Sequence, residues 1–310
     1  MFFYNLIYSM ARVDNDQTFK FNEEELQESL IKVPFSRTLS FDDRQLKYRE
    51  SRQFKKLTCT NPFRKNLILQ IEFLLNYGHM SKRIVYVSPF VSHLSFLAKL
   101  FPLHTFIVYN KSDDSRPRIR NIVYNNLNFN DNIAKSIHDQ HKGHYLFICY
   151  NEMNTQKRWM SLLRPEIAML RFKLPYDGTT ISYLKGTIYY PVWGGVCSTE
   201  TELVTNGTST MEYSSVDYEN IMYRFNNITR QETHLHNVRL RNVKGIDYCY
   251  DCYAEIQILQ KYVSLYKSDK TVDELMTTIS NITKNKTLNW KHHGRVLFTN
   301  MSIQQKLNLI

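Results

Sequence analysis

Charged side chains of opposite sign recur in residues 163–204, close to two segments that have the composition of β-strands. The segment Ala168–Leu174 alternates apolar and basic residues and carries Arg171 and Lys173. The second strand, Gly186–Tyr190, is aromatic and β-branched, and Pro191 ends it. A loop leads from it to residues 198–204, which carry Glu200 and are polar where a sheet segment is usually apolar. A basic strand end that faces a carboxylate at the edge of an α/β sheet forms a cleft where ligands commonly bind. An ordinary surface hairpin with a charged face would show the same pattern.

A third charged residue, Lys65, lies in the first turn of a predicted helix. The helix begins at Asn61-Pro62, because proline is tolerated in a first turn, and Gly78 ends it. Apolar residues follow Lys65 at helical spacing, at Leu67, Ile68, Ile71, Leu74 and Leu75.

Strands and helices alternate after this helix. Continuous apolar segments typical of parallel strands occur at Arg83–Val87, Thr105–Tyr109 and His144–Tyr150, and helical patterns at His93–Phe101 and Asn132–His138 separate them. This order predicts an α/β fold with a doubly wound, mostly parallel sheet. We divide the chain into an N-terminal arm with a short helix (1–60), the α/β domain (61–265) and a helical, polar C-terminal tail (266–310).

In a doubly wound fold, the turn after the first strand and the end of the second strand hold a nucleotide-like cofactor. Here the turn is Ser88–Ser92, which has no glycine, and the second strand is followed by Asn110, where an acidic residue would bind a ribose. A turn without glycine does not easily let a ligand approach its backbone. These residues therefore argue against a well-formed cofactor site.

Composition favours a partner that contains phosphates. The 310 residues include 40 Lys and Arg against 29 Asp and Glu, a formal charge of +11, and 14% aromatic residues, which can stack on bases. A basic, solvated surface and an A/T-rich coding sequence would explain the same numbers. RNA is the partner that we predict.

The five cysteines are odd in number and widely spaced, which is typical of a reducing compartment. Cys249 and Cys252 form a CxxC without a second pair, so we expect no metal site. The apolar N-terminal segment is only ten residues long and lacks a basic region and a cleavage site. We therefore expect a cytoplasmic protein without membrane association.

The sequences of several segments, and their order along the chain, resemble the poxvirus poly(A) polymerase small subunit, which is also the cap-specific 2′-O-methyltransferase. The resemblance covers about two-thirds of the chain, from Phe63 to Val263. Its main segments are Lys65–Leu74, Ile84–Val87, 164–176, Ser198-Thr-Glu200 and Asp217–Tyr223. Such proteins occur in cytoplasmic DNA viruses and virus-like elements, and the fold implied is the Rossmann-like methyltransferase type.

The resemblance implies S-adenosylmethionine as cofactor and a Lys-Asp-Lys-Glu tetrad, in which a lysine deprotonates the ribose 2′-hydroxyl. Lys65 matches the first lysine and Glu200 the glutamate. The aspartate position falls at Tyr150 or Asn151, neither of which has a carboxylate. The second lysine falls at Arg171, which stays protonated, with Lys173 as a displaced substitute. In the implied donor pocket, Ser88, Ser92 and Asn110 stand at the cofactor-binding positions.

The resemblance also implies a cap-binding site, where aromatic rings stack on the positively charged 7-methylguanine and carboxylates bind its edge. Tyr176 matches one aromatic ring, and Asp177 and Glu219 match carboxylates. The second aromatic position falls at Cys197, which cannot stack in the same way.

Three functional hypotheses remain. The first is a methyltransferase-fold protein with eroded chemistry that binds capped or single-stranded mRNA beside a poly(A) polymerase or RNA polymerase catalytic subunit. The second is an active cap-specific mRNA 2′-O-methyltransferase with a rearranged tetrad of Lys65, Lys173 and Glu200. The third is a structural protein–protein module that binds no RNA.

Overall fold

The computed structural model describes residues 36–41, 62–111, 119–175, 178–194, 199–227 and 250–283. Seven strands form one sheet in the order β3-β2-β1-β4-β5-β8-β7. They are β1 (Arg83–Val87), β2 (Thr105–Tyr109), β3 (Ile122–Asn125), β4 (Leu146–Cys149), β5 (Ile167–Phe172), β7 (Thr187–Tyr189) and β8 (Thr201–Thr205). The strands β6 (Thr180–Leu184) and β9 (Thr210–Ser214) pair with each other in a separate antiparallel ribbon.

The helices are α1 (Pro62–Tyr77), α2 (Leu94–Leu100), α3 (Asp131–His141), α4 (Met153–Leu163), α5 (Ser215–Asn227), α6 (Tyr250–Tyr266) and α7 (Val272–Ile282). Two hydrophobic clusters lie on opposite faces of the sheet. One contains residues of α1, α2, α6 and α7, the other contains residues of α3 and α4, and α5 contributes to both. Strands β3, β2, β1, β4 and β5 are parallel, and β8 is antiparallel to both β5 and β7. The predicted doubly wound α/β fold is therefore confirmed, and the topology is consistent with the Rossmann-like methyltransferase type.

The helix α1 is buried on nearly all sides, because the sheet covers one face and α6 packs on another. Charged and polar residues of α1 are therefore buried together with its leucines, as Arg64, Lys65 and Gln70 show with exposures of 1%, 6% and 0%. The predicted helix had its apolar stripe in the right place. Its polar residues, however, do not face solvent.

A short segment, 36–41, pairs with the outer edge of the sheet. The backbone N–H of Leu39 donates to the carbonyl of Ile188 at 2.8 Å, and the N–H of Tyr190 donates to the carbonyl of Arg37 at 2.8 Å. The guanidinium of Arg37 also forms a two-pronged ion pair with Glu72 of α1, at 3.0 and 2.8 Å. Within the predicted N-terminal arm, this segment is the part that the structure describes.

Several predicted elements differ in their limits from those observed. The predicted strand His144–Tyr150 is the shorter β4, and the predicted helix Asn132–His138 is the longer α3. Asn130 caps the start of α3 through a bond from the Ile133 N–H at 3.0 Å, and Lys142, in the left-handed conformation, ends the helix. Helix α4 and the ribbon β6/β9 were not predicted. In the described part of the chain, no helix is long and apolar enough to cross a membrane.

Candidate ligand-binding site at the carboxyl ends of the parallel strands

An ion-pair cluster joins α1, β5 and the start of β8. The ammonium of Lys65 lies 2.9 Å from Glu200 Oε1 and 3.5 Å from Glu202 Oε1. Arg171 donates from Nε and Nη2 to Glu200 Oε2, at 2.9 and 2.6 Å. The structure thus brings together Lys65, Arg171 and Glu200, three of the residues singled out in the sequence.

The register between two strands explains this geometry. In the antiparallel pair β5/β8, Arg171 stands opposite Glu202, and Glu200 lies two residues before Glu202, so both carboxylates point to the same face. Lys65 reaches them from the first turn of α1. Glu202 was not predicted as a site residue, although two glutamates two residues apart in a strand are a signal that both side chains face the same neighbour.

The cluster distributes its charge unequally. Burial alone would lower the pKa of Lys65, but Glu202 and Glu200 outweigh it, so that the pKa of the ammonium is raised. Although burial opposes the change, Lys65 and Arg171 lower the pKa of Glu200 to about 2. Burial raises the pKa of Glu202 to about 7, against the attraction of Lys65.

Glu202 is the least satisfied member of the cluster. Its side chain is fully buried, and neither carboxylate oxygen has a hydrogen-bond partner among the residues that the structure describes. The distance of 3.5 Å to Lys65 is close enough for attraction between charges but longer than a normal hydrogen bond. A cavity of about 10 Å³ beside it, lined also by Glu72 and Tyr189, is the size of a single water molecule.

A buried polar network holds α1 against the sheet next to this cluster. The amide of Gln70 donates to Tyr86 Oη at 3.1 Å and to Tyr150 Oη at 3.4 Å, and its oxygen accepts from His93 Nε2 at 2.9 Å. Burial lowers the pKa of His93 to about 4 and raises the pKa of Tyr150 well above its usual range, so both rings are neutral at pH 7. Tyr150, at one of the two positions where the resemblance implies an aspartate, therefore contributes a neutral phenol.

A cavity of about 390 Å³ opens beside Arg171, between the end of β5 and the start of α4. Arg171 and Lys173 both line it, together with the amides of Asn151 and Asn154 and one carboxylate, that of Glu152. Within the described residues, the ion pairs of Glu200 are those with Lys65 and Arg171, so Lys173 belongs to the cavity wall and not to the cluster. Gln156 of α4 keeps the wall in place, because its amide donates to the carbonyls of Asn151 and Arg171.

A second cavity of about 460 Å³ lies at the carboxyl ends of β1, β2 and β4, where ligands of doubly wound folds bind. Ser88 and Asn110, two of the predicted cofactor-binding residues, line it. They are bonded to each other, because Asn110 Nδ2 donates to the carbonyl of Ser88 at 3.0 Å. Ser92, the third predicted residue, is exposed and is not among the lining residues.

The described lining of the second cavity supplies no carboxylate for a cationic methyl donor. None of its described lining residues is an aspartate or glutamate, so no negative charge there balances a sulfonium or accepts both hydroxyls of a ribose. Asn110 contributes a neutral amide, and Lys111 adds a positive charge at the rim. Asn151, the other candidate for the lost aspartate position, lines both cavities and supplies no carboxylate to either.

The predicted cap-binding residues are only partly placed. Glu219 is half-buried on α5, whose neighbouring residue Tyr218 donates a hydrogen bond to the carbonyl of Thr199, just before Glu200. Tyr176 and Asp177 lie outside the described residues. The proposed cap site therefore remains a prediction.

The chemical groups of the cluster are better suited to binding a ligand than to catalysis. Carboxylates hold Lys65 in its charged form, and the guanidinium of Arg171, which stays protonated in proteins, cannot act as a base. Arg171 is 35% exposed in its side chain and so can still meet an anion from the cavity. Among the described residues, no three His, Cys, Asp or Glu side chains meet as a metal site would require.

Comparison with known proteins gives little further information. No protein-family model and no curated protein matches the sequence. Among solved structures, the chain is similar to bluetongue virus VP4, which is described as a multifunctional RNA-capping production line. The alignment covers 49% of this chain and 30% of the VP4 chain, with a TM-score of 0.39 and 12% identity. Similarity at this level supports no inference about activity or partners.

Proposed function

We propose that this protein binds RNA through a methyltransferase-like fold whose catalytic and methyl-donor sites are eroded, and that it acts in mRNA capping, polyadenylation or transcription. The observation that carries the proposal is the ion pair between Arg171 and Glu200. A guanidinium occupies the strand position beside Lys65 and Glu200 where 2′-O-methylation would need a base, and it cannot release its proton at physiological pH.

Lys65 supports the same conclusion. A lysine that removes a proton from a ribose hydroxyl needs a lowered pKa, which requires burial or nearby positive charge. Here two carboxylates surround the ammonium and raise its pKa, so it remains charged. Lys65 is 6% exposed, and its short contact with Glu200 occupies it further.

RNA binding requires positive charges and hydrogen-bonding groups in the cavity beside Arg171, but no general base. Arg171 and Lys173 lie two residues apart on one strand end and line the same cavity of about 390 Å³. Their charges and the amides of Asn151 and Asn154 suit the phosphates and sugars of a single RNA strand. The formal charge of +11 attracts such a strand over longer distances.

RNA binding is tested by retention of a capped, single-stranded RNA on filters at two salt concentrations. We expect affinity to fall steeply with salt, because phosphate contacts release counterions. Replacement of Arg171 by Gln should lower the affinity about 10-fold and reduce the salt slope by about 0.7. Arg83→Gln is the matched control, since Arg83 is exposed at the opposite end of the parallel strands and should change affinity less than about twofold.

Loss of methyl transfer is tested separately, by incubating the full chain with S-adenosylmethionine and capped RNA. We expect no transfer to the ribose 2′-hydroxyl. Transfer that disappears in Lys65→Ala would overturn the proposal in favour of an active methyltransferase. An absence of any salt-sensitive RNA binding would overturn it in favour of a protein–protein module.

The polymerase partner rests on the resemblance alone. A catalytic subunit of a poly(A) polymerase or RNA polymerase, in the cytoplasm, is the partner and place that this resemblance implies. Co-purification of such a subunit with the tagged chain from infected or transfected cytoplasm would support it, and isolation of the chain without any polymerase activity would contradict it.

A further inference from the structure

The cavity at the ends of β1, β2 and β4 has the dimensions of a small-molecule site. Its volume of about 460 Å³ lies within the range of about 300–1,000 Å³ that such sites span. Its floor is formed by buried residues, among them Val87, Phe129 and Trp159, while Pro89 and Lys111 lie exposed at its rim. The ion-pair cluster does not contribute to its lining.

Aromatic rings form one wall of this cavity. Phe129 packs edge-to-face against Tyr109, with ring centres 5.0 Å apart, and against Trp159, with ring centres 4.7 Å apart. Tyr109 is only half-buried and so presents ring surface to the cavity. Phe129 is held by its neighbours on both sides, which leaves a rigid apolar wall for a flat ring to pack on.

The polar groups in the lining are mainly neutral amides. Asn110, Asn128 and Asn151 each carry a group that donates and a group that accepts, which is the combination that base edges require. The Tyr109 and Tyr150 phenols stay neutral because burial raises the pKa of both. Lys111 is therefore the single charged side chain in the described lining, and it is positive.

We infer that this cavity binds a nucleoside 5′-phosphate, with the base between the aromatic wall and the amides and the phosphate at Lys111. An anion complements Lys111, whereas the sulfonium of a methyl donor would add a second positive charge without a counter-ion in the described lining. The inference rests on the fold and the cavity and does not depend on the proposed function. A free nucleotide and the phosphorylated 5′ end of an RNA are two sources of the same chemical group.

The test is calorimetric titration of the full chain with adenosine 5′-monophosphate, adenosine and S-adenosylmethionine. We expect the monophosphate to bind about 10-fold more tightly than adenosine, the value of one charge-assisted contact, and more tightly than S-adenosylmethionine. Lys111→Gln should abolish the difference between the monophosphate and adenosine while leaving the affinity for adenosine unchanged. Lys99→Gln is the matched control, because Lys99 is exposed in the last turn of α2, which leads to the amino ends of the parallel strands, away from the cavity.

Three results would overturn the inference. They are tighter binding of S-adenosylmethionine than of the monophosphate, no binding of the monophosphate, and an equal loss of affinity for both adenosine ligands in Lys111→Gln. Competition then identifies the source of the phosphate. Displacement of the monophosphate by a 5′-phosphorylated RNA but not by a 5′-hydroxyl RNA indicates an RNA end, and displacement by neither RNA indicates a free nucleotide.

The two proposals fail independently. Arg171 lines the other cavity, so Arg171→Gln should leave the affinity for the monophosphate unchanged. Monophosphate binding without filter retention of RNA would remove only the proposed function. Retention of RNA without monophosphate binding would remove only the nucleotide site.

Discussion

Two neighbouring residues at the start of α1, Arg64 and Lys65, belong to two charge clusters that differ in how completely they are hydrogen-bonded and buried. Arg64 is 1% exposed and donates from Nε and Nη2 to the two oxygens of Glu255, both at 2.9 Å. It also donates to Ser280 Oγ at 3.0 Å and lies over the ring of Trp193, 4.4 Å from its centre. Glu255, itself fully buried, accepts a further bond from Trp193 Nε1.

The Lys65 cluster lacks this completeness. Lys65 lies between two carboxylates at unequal distances, Glu202 has no hydrogen-bond partner in the described part of the chain, and Arg171 opens onto a cavity. The buried and fully hydrogen-bonded ion pair between Arg64 and Glu255 stabilises the fold, since breaking it would leave a buried charge without a partner. An incompletely bonded group of charges that reaches a cavity is where a ligand can complete the bonds. This difference is the reason that we propose the Lys65 cluster, and not the Arg64 cluster, as the functional site.

The largest expected effect comes from breaking the sealed cluster. Arg64→Ala should lower the free energy of unfolding by about 3–5 kcal/mol, because Glu255 would be left buried and unpaired. Lys65→Ala should cost less than about 2 kcal/mol, since Glu202 can take up a proton and Glu200 keeps Arg171. Denaturant unfolding of the two variants measures the difference. Equal decreases in the free energy of unfolding would show that the two clusters stabilise the fold to the same extent.

The next effect depends on pH. The pKa of Glu202 is raised to about 7 in the folded chain, above the usual value near 4.3, so the folded chain binds the extra proton between these values. The contribution of Glu202 to the free energy of unfolding is thus fully present below about pH 4 and is lost as the pH rises through 7. The free energy of unfolding of wild type minus that of Glu202→Gln should fall on the order of 1–3 kcal/mol from pH 5 to pH 8.

The informative quantity is the difference in the free energy of unfolding between wild type and Glu202→Gln. His93 has a lowered pKa of about 4 and therefore contributes stability that increases with pH up to about 6.5, opposite to Glu202. Because His93 is present in both proteins, its contribution cancels. Parallel pH profiles for wild type and Glu202→Gln would mean that Glu202 is ionised in the folded chain at all of these pH values.

The smallest effect concerns the exposed side of the cluster. Glu200→Gln removes the carboxylate that competes with RNA for Arg171, so we expect RNA affinity to rise about two- to fivefold, as suits a partly exposed ion pair. Glu255→Gln, in the sealed cluster, should leave RNA affinity unchanged at temperatures where the variant is folded. Filter binding measures both. A lower affinity in Glu200→Gln would mean that Glu200 holds Arg171 in its binding position.

Much of the sheet could be predicted from the sequence, because buried parallel strands are short apolar runs with few alternatives. Helix α4 escaped prediction since most of its residues are polar and its buried face consists of only a few positions, among them Trp159, Met160 and Leu163. The ribbon β6/β9 escaped it because its strands are mostly exposed and lack a clear alternation.

The site was harder to predict than the sheet. Lys65, Arg171 and Glu200 were accessible through the resemblance, but Glu202 was not, because an acidic residue in a strand is usually expected to face solvent. Its burial follows from helix α1, which packs on the face of β8 that carries Glu202: Lys65 lies 3.5 Å from its carboxylate and Glu72 lines the same small cavity. Arg64 shows the same limit, since α6 and α7 bury it from a distance of about 190 residues or more along the chain.

The pairing of residues 37–39 with β7 has a consequence for how the protein can be handled. A sheet edge with unpaired N–H and C=O groups is a template on which another chain can add a strand. Here the segment occupies that edge and is fastened by Arg37 to Glu72. A fragment that begins at residue 62 would keep every strand of the sheet yet expose β7, and we expect it to self-associate into β-rich aggregates at concentrations where the full chain stays dispersed.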